Sequence, residues 1–93
     1  MALQILEQNG IFNLHGRLTT ATSQSFLNHF KNIITSVNDV TINIDKVSEI
    51  DATGMSAIRV LYDNALQYNR NFFIIGNGCK EIYEEFRYTE EAA

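Results

Sequence analysis

The hydrophobic residues in the middle of the chain change their spacing once. Val40, Ile42 and Ile44 alternate with polar residues, and this two-residue period predicts a β-strand with one buried face. From Met55 onwards the apolar residues recur at three- and four-residue intervals, which predicts an amphipathic helix. This second pattern comprises Met55, Ile58, Leu61, Tyr62, Ala65 and Leu66. The centre of the chain is therefore predicted to be a strand followed closely by a helix.

Two further elements are predicted before the central strand. Asn9-Gly10 is a strong turn signal between apolar segments, so residues 3–7 and a strand from Ile11 to Gly16 are predicted to form a hairpin. A single apolar stripe then predicts a helix that begins among the hydroxyl residues 19–23 and ends near residues 36–38. This stripe comprises Phe26, Leu27, Phe30, Ile33, Ile34 and Val37.

The pattern after the second helix completes an α/β domain. Residues 72–75 are a continuous apolar run, which is typical of a strand covered on both faces. Strand, helix and strand in succession predict a βαβ unit with parallel strands. A short last helix is predicted over residues 79–87, followed by a polar, flexible tail over residues 88–93. We expect one domain over residues 1–93, with a mixed sheet of about four strands, an N-terminal hairpin and helices packed against the sheet.

Composition narrows the possible functions. Ninety-three residues allow one small core, and a net charge of −4 argues against a nucleic-acid binder. No apolar run is long enough to span a membrane and no signal-peptide pattern is present, so we expect a cytoplasmic protein without a membrane span. The single cysteine, Cys79, fits a reducing compartment.

The candidate chemistry lies in Asp51-Ala52-Thr53-Gly54, between the central strand and the second helix. Asp51 and Thr53 are both suitable helix N-caps, and Gly54 permits a tight turn and leaves the site open to an approaching group. Asp51 caps the helix or orients the Thr53 hydroxyl, and these roles are compatible. By residue type alone, Thr53 is more often only a cap. Met55 and Ile58 are predicted core residues, one of which could reach a partner at the start of the helix.

These residues resemble the STAS family, the domain of bacterial anti-sigma-factor antagonists. The family pattern is Asp-Ser-Ser-Gly or Asp-Ser-Thr-Gly between a strand and a helix, and residues 51–54 match it at every position except Ala52. A second family motif, an apolar strand followed by Gly-x-Leu, matches residues 14–18. The resemblance covers residues 11–86. Two positions depart from the pattern: Thr19 stands where many members have Asp, and Ala52 replaces the commoner Ser.

The resemblance implies a regulatory binding module that is not an enzyme. Thr53 would be the phosphorylation site, and the partners would be a serine/threonine kinase that acts as an anti-sigma factor and a phosphatase. The contact surface would include Asp51, Thr53, Gly54, Met55 and Ile58. The alternative is an unphosphorylated scaffold subunit of a larger assembly, in lipid transport or stress signalling.

No catalytic or metal-binding set is recognisable in the sequence. His15 and His29 lie on different predicted elements and have no ligand spacing to Cys79, so we expect neither a metal site nor a cofactor. Cys79 could be activated at a helix start, but a small, buried apolar role is favoured. Residues 76–78 are too short for a phosphate-binding loop.

Overall fold

The computed structural model describes residues 3–82 and residue 84. In this part of the chain, four strands and two long helices follow one another as β1 (Gln4–Gln8), β2 (Ile11–Leu18), α1 (Ser23–Ile33), β3 (Asp39–Ile50), α2 (Ala52–Gln67) and β4 (Asn71–Ile75). Residues 80–82 and 84 are also helical, in agreement with the start of the predicted last helix. The predicted tail over residues 88–93 lies outside the described residues.

The strands form one mixed sheet in the order β1-β2-β3-β4. β1 and β2 are antiparallel, whereas β2–β3 and β3–β4 are parallel. Asn9 and Gly10 turn the hairpin with φ angles of 55° and 81°, the positive values that two-residue hairpin turns of type I′ require. The Glu7 carboxylate accepts the Gly10 N–H at 2.8 Å. The predicted mixed sheet and its N-terminal hairpin are confirmed.

The core lies between one face of the sheet and the two long helices. Leu14, Ile42 and Ile44 from the sheet are fully buried, as are Phe26 of α1 and Ile58 of α2. These positions follow the two periods seen in the sequence, two residues along the strands and three to four along the helices. The predicted apolar stripes therefore mark the surfaces that pack together, with the exception of Leu66 in α2, which is exposed.

Two predictions about the strands are wrong. Phe73 and Ile75 in β4 are 47% and 40% exposed, so this strand is not covered on both faces. Both side chains lie on the sheet face opposite the helices, because Phe72 and Ile74 occupy the inner face. Gly16 does not end β2 either. It lies at an irregularity in the pairing with β3, with φ 118°, and the strand continues to Leu18.

The end of α1 is joined to the start of β4 by one side chain. Asn69, with φ 59°, turns the chain after α2. Arg70 then donates from Nε to the Ile34 carbonyl at 2.8 Å and from Nη2 to the Thr35 carbonyl at 3.1 Å. Carbonyl groups at a helix C-terminus have no partner within the helix. Arg70 therefore satisfies the carbonyl of the C-cap residue Ile34 and that of Thr35, the next residue, and fixes the position of α1 relative to the sheet.

Candidate functional site

The site forms where β2 and β3 end side by side. Their parallel pairing continues to Leu18 opposite Ile50, and the Asp51 N–H donates to the Leu18 carbonyl at 3.3 Å. The loop that follows β2 and the first turn of α2 are therefore neighbours. Residues more than thirty positions apart in sequence meet at this edge of the sheet.

Asp51 is the N-cap of α2. Capping was one of its two predicted roles, the other being to orient the Thr53 hydroxyl. Its backbone is extended, and its Oδ1 accepts the Gly54 N–H at 2.8 Å. Its other oxygen, Oδ2, accepts the Thr20 N–H at 3.0 Å and the Thr20 hydroxyl at 3.2 Å. Hydrogen bonds from N–H groups favour the charged carboxylate. The Gly54 N–H, then that of Thr20, hold the pKa of Asp51 below its ordinary value, against a smaller opposing effect of burial.

Thr53 lies in the first turn of α2 and its side chain is exposed. It is not the cap, because Asp51 fills that role. Its hydroxyl oxygen is 3.0 Å from the hydroxyl oxygen of Thr20. The Thr53 hydroxyl is thus held in place by the neighbouring loop and remains open to a group that approaches from solvent.

Thr20 was not predicted as a site residue. The sequence shows it only as one of several hydroxyl residues before α1. Its neighbours Thr22 and Ser23 bond locally, to the Arg17 and Thr19 carbonyls at 2.7 Å and 2.6 Å. Thr20 alone of these three reaches α2. No local signal identifies it, because its contacts depend on the pairing of β2 with β3.

Gly54 differs from its predicted role. It is buried, and a Cβ atom at this position would lie 2.0 Å from the Leu18 carbonyl oxygen. Real Cβ atoms do not approach a backbone oxygen so closely. The absence of a side chain therefore serves the close packing of α2 against the end of β2, and does not open the position to solvent.

The five predicted contact residues are not equally accessible. Thr53 is exposed, and Asp51 and Met55 are partly exposed. Ile58 is completely buried in the core, so its predicted contact with a partner does not agree with this structure. A partner that approaches the start of α2 would therefore contact Thr53 and the exposed parts of Asp51 and Met55.

Neither a metal cluster nor an activated thiol is found in the part of the chain that the structure describes. No group of three or more His, Cys, Asp or Glu side chains with the arrangement of a metal site occurs among these residues. Cys79 is half-buried and its thiol lies 3.5 Å from the Val47 carbonyl. Burial, followed by the charges of Glu81 and Glu49, raises its pKa. This agrees with the favoured interpretation of Cys79 as a small packing residue.

Comparison with known proteins identifies the family. The sequence matches the family model of the STAS domain over residues 1–85. The chain belongs to the STAS domain family. No curated protein matches the sequence significantly. Among the described residues, no helix of this STAS domain is both long and apolar enough to cross a membrane.

Solved structures show the same fold at low sequence identity. The unphosphorylated anti-sigma factor antagonist SpoIIAA superposes with a TM-score of 0.72 at 14% identity, over 97% of this chain and 93% of that protein. The phosphorylated form of the Bacillus cell fate determinant SpoIIAA gives 0.72 at 13% identity, over 94% of this chain and 82% of that one. Mglu gives 0.68 at 14% identity over 80% of this chain. This STAS domain spans only 19% of the length of Mglu.

Proposed function

We propose that this STAS domain is a regulatory binding module of the anti-sigma-factor antagonist type, switched by phosphorylation of Thr53. The observation that carries the proposal is the exposed Thr53 hydroxyl in the first turn of α2, beside the capping carboxylate of Asp51. SpoIIAA, which shares the fold, has been solved in unphosphorylated and phosphorylated forms. We extend that chemistry to this chain through Thr53.

A phosphate on Thr53 should leave the fold intact. An anion at a helix N-terminus is stabilised by roughly 0.3–1 kcal/mol, and by up to about 2 kcal/mol when it is partly buried. Repulsion from the nearby Asp51 charge is of the same order in a largely aqueous setting. The two effects oppose each other, so the added charge acts mainly on a partner that docks over Thr53.

The proposed partner is a serine/threonine kinase that also acts as an anti-sigma factor. The unmodified domain would bind it through Thr53, Asp51 and the edge of Met55, the accessible residues at the start of α2. Phosphorylation by the kinase would place about two negative charges in the contact and release the domain. A phosphatase would restore binding. In this scheme the protein acts in the cytoplasm and catalyses no reaction itself.

Phosphopeptide mass spectrometry tests the switch. The protein is incubated with ATP and kinase fractions from the host and then digested with trypsin. Cleavage after Lys46 and Arg59 gives a peptide that contains Thr53 together with Ser48 and Ser56, so fragmentation must locate the phosphate. We expect it on Thr53 and expect no label at this position in Thr53→Val. A phosphate found only on Ser48 or Ser56, or a peptide that carries no phosphate at all, would contradict the proposal.

A scaffold subunit without phosphorylation is the second candidate. Leu6, Phe73 and Ile75 are 49%, 47% and 40% exposed, and strand pairing places them on the sheet face opposite the helices. Exposed apolar groups on one face are a feature of subunits that assemble. If Thr53→Val and Thr53→Glu both assemble normally with the native partners while Phe73→Ser does not, the scaffold function is favoured over the switch.

A further inference from the structure

Thr20 connects the proposed phosphorylation site to the capping carboxylate. Its hydroxyl oxygen lies 3.2 Å from Asp51 Oδ2 and 3.0 Å from Thr53 Oγ1, and its N–H donates to the same Asp51 oxygen. Thr20 is 31 and 33 residues away from these partners in sequence. The contacts therefore depend on the tertiary fold, whereas the capping bond to the other Asp51 oxygen lies within α2.

The direction of these hydrogen bonds follows from proton counting. An ionised carboxylate can only accept hydrogen bonds. The Thr20 hydroxyl therefore donates its single proton in a hydrogen bond to Asp51, because that bond is charge-assisted. The proton between the two hydroxyl groups must then come from Thr53. In this arrangement the Thr53 proton points to Thr20, and the lone pairs of Thr53 Oγ1 face solvent.

From this geometry we infer that Thr20 is a positioning residue, which orients the Thr53 hydroxyl for phosphoryl transfer through a Thr53–Thr20–Asp51 relay. The inference rests on the proposed function of Thr53. In the transfer, Thr53 Oγ1 forms a bond to the γ-phosphorus of ATP bound to the kinase, and the bond from that phosphorus to ADP breaks. The Thr53 proton passes to Thr20 as the Thr20 proton passes to Asp51. Asp51 then releases a proton to water.

The loop between β2 and α1, residues 19–22, brings a hydroxyl to this site and contains no carboxylate. The Thr20 hydroxyl forms a hydrogen bond with the charged Asp51 carboxylate. In the proposed reaction, fixing one rotamer of the acceptor hydroxyl removes part of the orientational cost of the transfer.

The relay can be tested by NMR in the full chain without a kinase. Three-bond couplings to Thr53 Cγ2 report its χ1 rotamer, and a pH titration of the Asp51 carboxyl carbon reports its pKa. Thr20→Val keeps the β-branched shape and the N–H to Asp51 but removes the hydroxyl. We expect averaged χ1 couplings for Thr53 and a higher Asp51 pKa in this variant. Thr20→Ser should restore both readouts, and Thr19→Val, one residue away, should change neither.

Phosphorylation rates complete the test. With ATP and the kinase fraction that modifies wild-type protein, Thr20→Val should be phosphorylated at least about tenfold more slowly, and Thr20→Ser at close to the wild-type rate. Unchanged χ1 couplings, or equal phosphorylation of wild type and Thr20→Val, would overturn the inference. If no fraction modifies the wild type, the proposed function fails, and the NMR readouts alone decide whether Thr20 positions Thr53.

Discussion

At the scale of single residues, the site depends on one carboxylate that accepts hydrogen bonds from two segments of the chain. Asp51 binds the Gly54 N–H within α2 and the Thr20 N–H from the preceding loop. The first bond could be predicted, because Asp followed by a helical pattern is a standard cap signal. The second could not be predicted, because nothing local in sequence relates residue 20 to residue 51. Side chains that bind across strand ends are visible only once the strands are paired.

The low pKa of Asp51 predicts how stability depends on pH. A carboxyl group with a folded-state pKa below its ordinary value of 3.8 contributes stability that is fully present above that value. The contribution is lost as the pH falls through the lower, folded-state pKa. Asp51→Asn should therefore have a lower Tm at pH 7 and a shallower loss of Tm under acidic conditions. Thermal unfolding between pH 7 and pH 2 measures this.

The control for Asp51 is another acidic residue on the same helix. Asp63 is exposed on α2 and lies away from the cap, so Asp63→Asn should follow the wild-type acid profile. If Asp51→Asn and wild type lost Tm in parallel as the pH falls, the cap would not be the source of the acid sensitivity.

Gly54 provides a second prediction at the residue scale. Ala favours a helix over Gly by about 1 kcal/mol, so Gly54→Ala would be stabilising in an open helix. Here the added methyl group would overlap the Leu18 carbonyl, and such overpacking typically costs about 1–3 kcal/mol. We expect a net loss of unfolding free energy in urea. Ser56→Ala, at an exposed position of α2, should stay within about 0.5 kcal/mol of wild type. A Gly54→Ala variant at least as stable as wild type would contradict the close packing.

At the scale of elements, periodicity predicted which faces pack but not how far each strand extends. The helical stripes are correct except at Leu66, which is 56% exposed, because a three- to four-residue period leaves one face for the core. In β4 the apolar run predicts a strand covered on both faces, and this prediction is wrong: Phe72 and Ile74 face the core, whereas Phe73 and Ile75 are exposed. An uninterrupted run carries no period, so it cannot show which faces of a sheet are covered. Gly16 was misread for a related reason, since a glycine in a strand can mark an irregularity as well as an end.

The bond between Arg70 and α1 predicts a stability effect between elements. Arg70→Ala would leave the Ile34 and Thr35 carbonyls without their donors, and hydrogen bonds to charged groups are worth about 1.5–3 kcal/mol. We expect a loss of this size in urea unfolding, and a partial recovery in Arg70→Lys, which keeps the charge but not the two-pronged geometry. Arg17→Ala is the control, because Arg17 forms an exposed pair with Glu49 at 3.3 Å. That pair should contribute at most about 1 kcal/mol.

At the scale of the whole molecule, the proposed switch lies at one end of the domain. The carboxyl ends of β2 and β3, the loop after β2 and the first turn of α2 meet there. The fully buried apolar side chains of α2 begin one turn further along, at Ala57 and Ile58. The surface that would change its charge is therefore separate from the apolar packing that holds the fold. Binding and stability should respond independently to a charge at Thr53.

Thr53→Glu tests this separation directly. Glu places one negative charge near the helix N-terminus, which is slightly favourable, so its unfolding free energy should stay within about 1 kcal/mol of wild type. Binding to the kinase that phosphorylates Thr53 should weaken roughly a hundredfold or more, since like charges and a desolvated anion at an interface cost several kcal/mol. Thr53→Gln has the same shape without the charge and should bind more tightly than Thr53→Glu. Urea unfolding and titration calorimetry measure the two effects. Equal affinities of the Glu and Gln variants would show that charge at residue 53 does not control the partner, and an unfolded Glu variant would show that the site and the core are coupled after all.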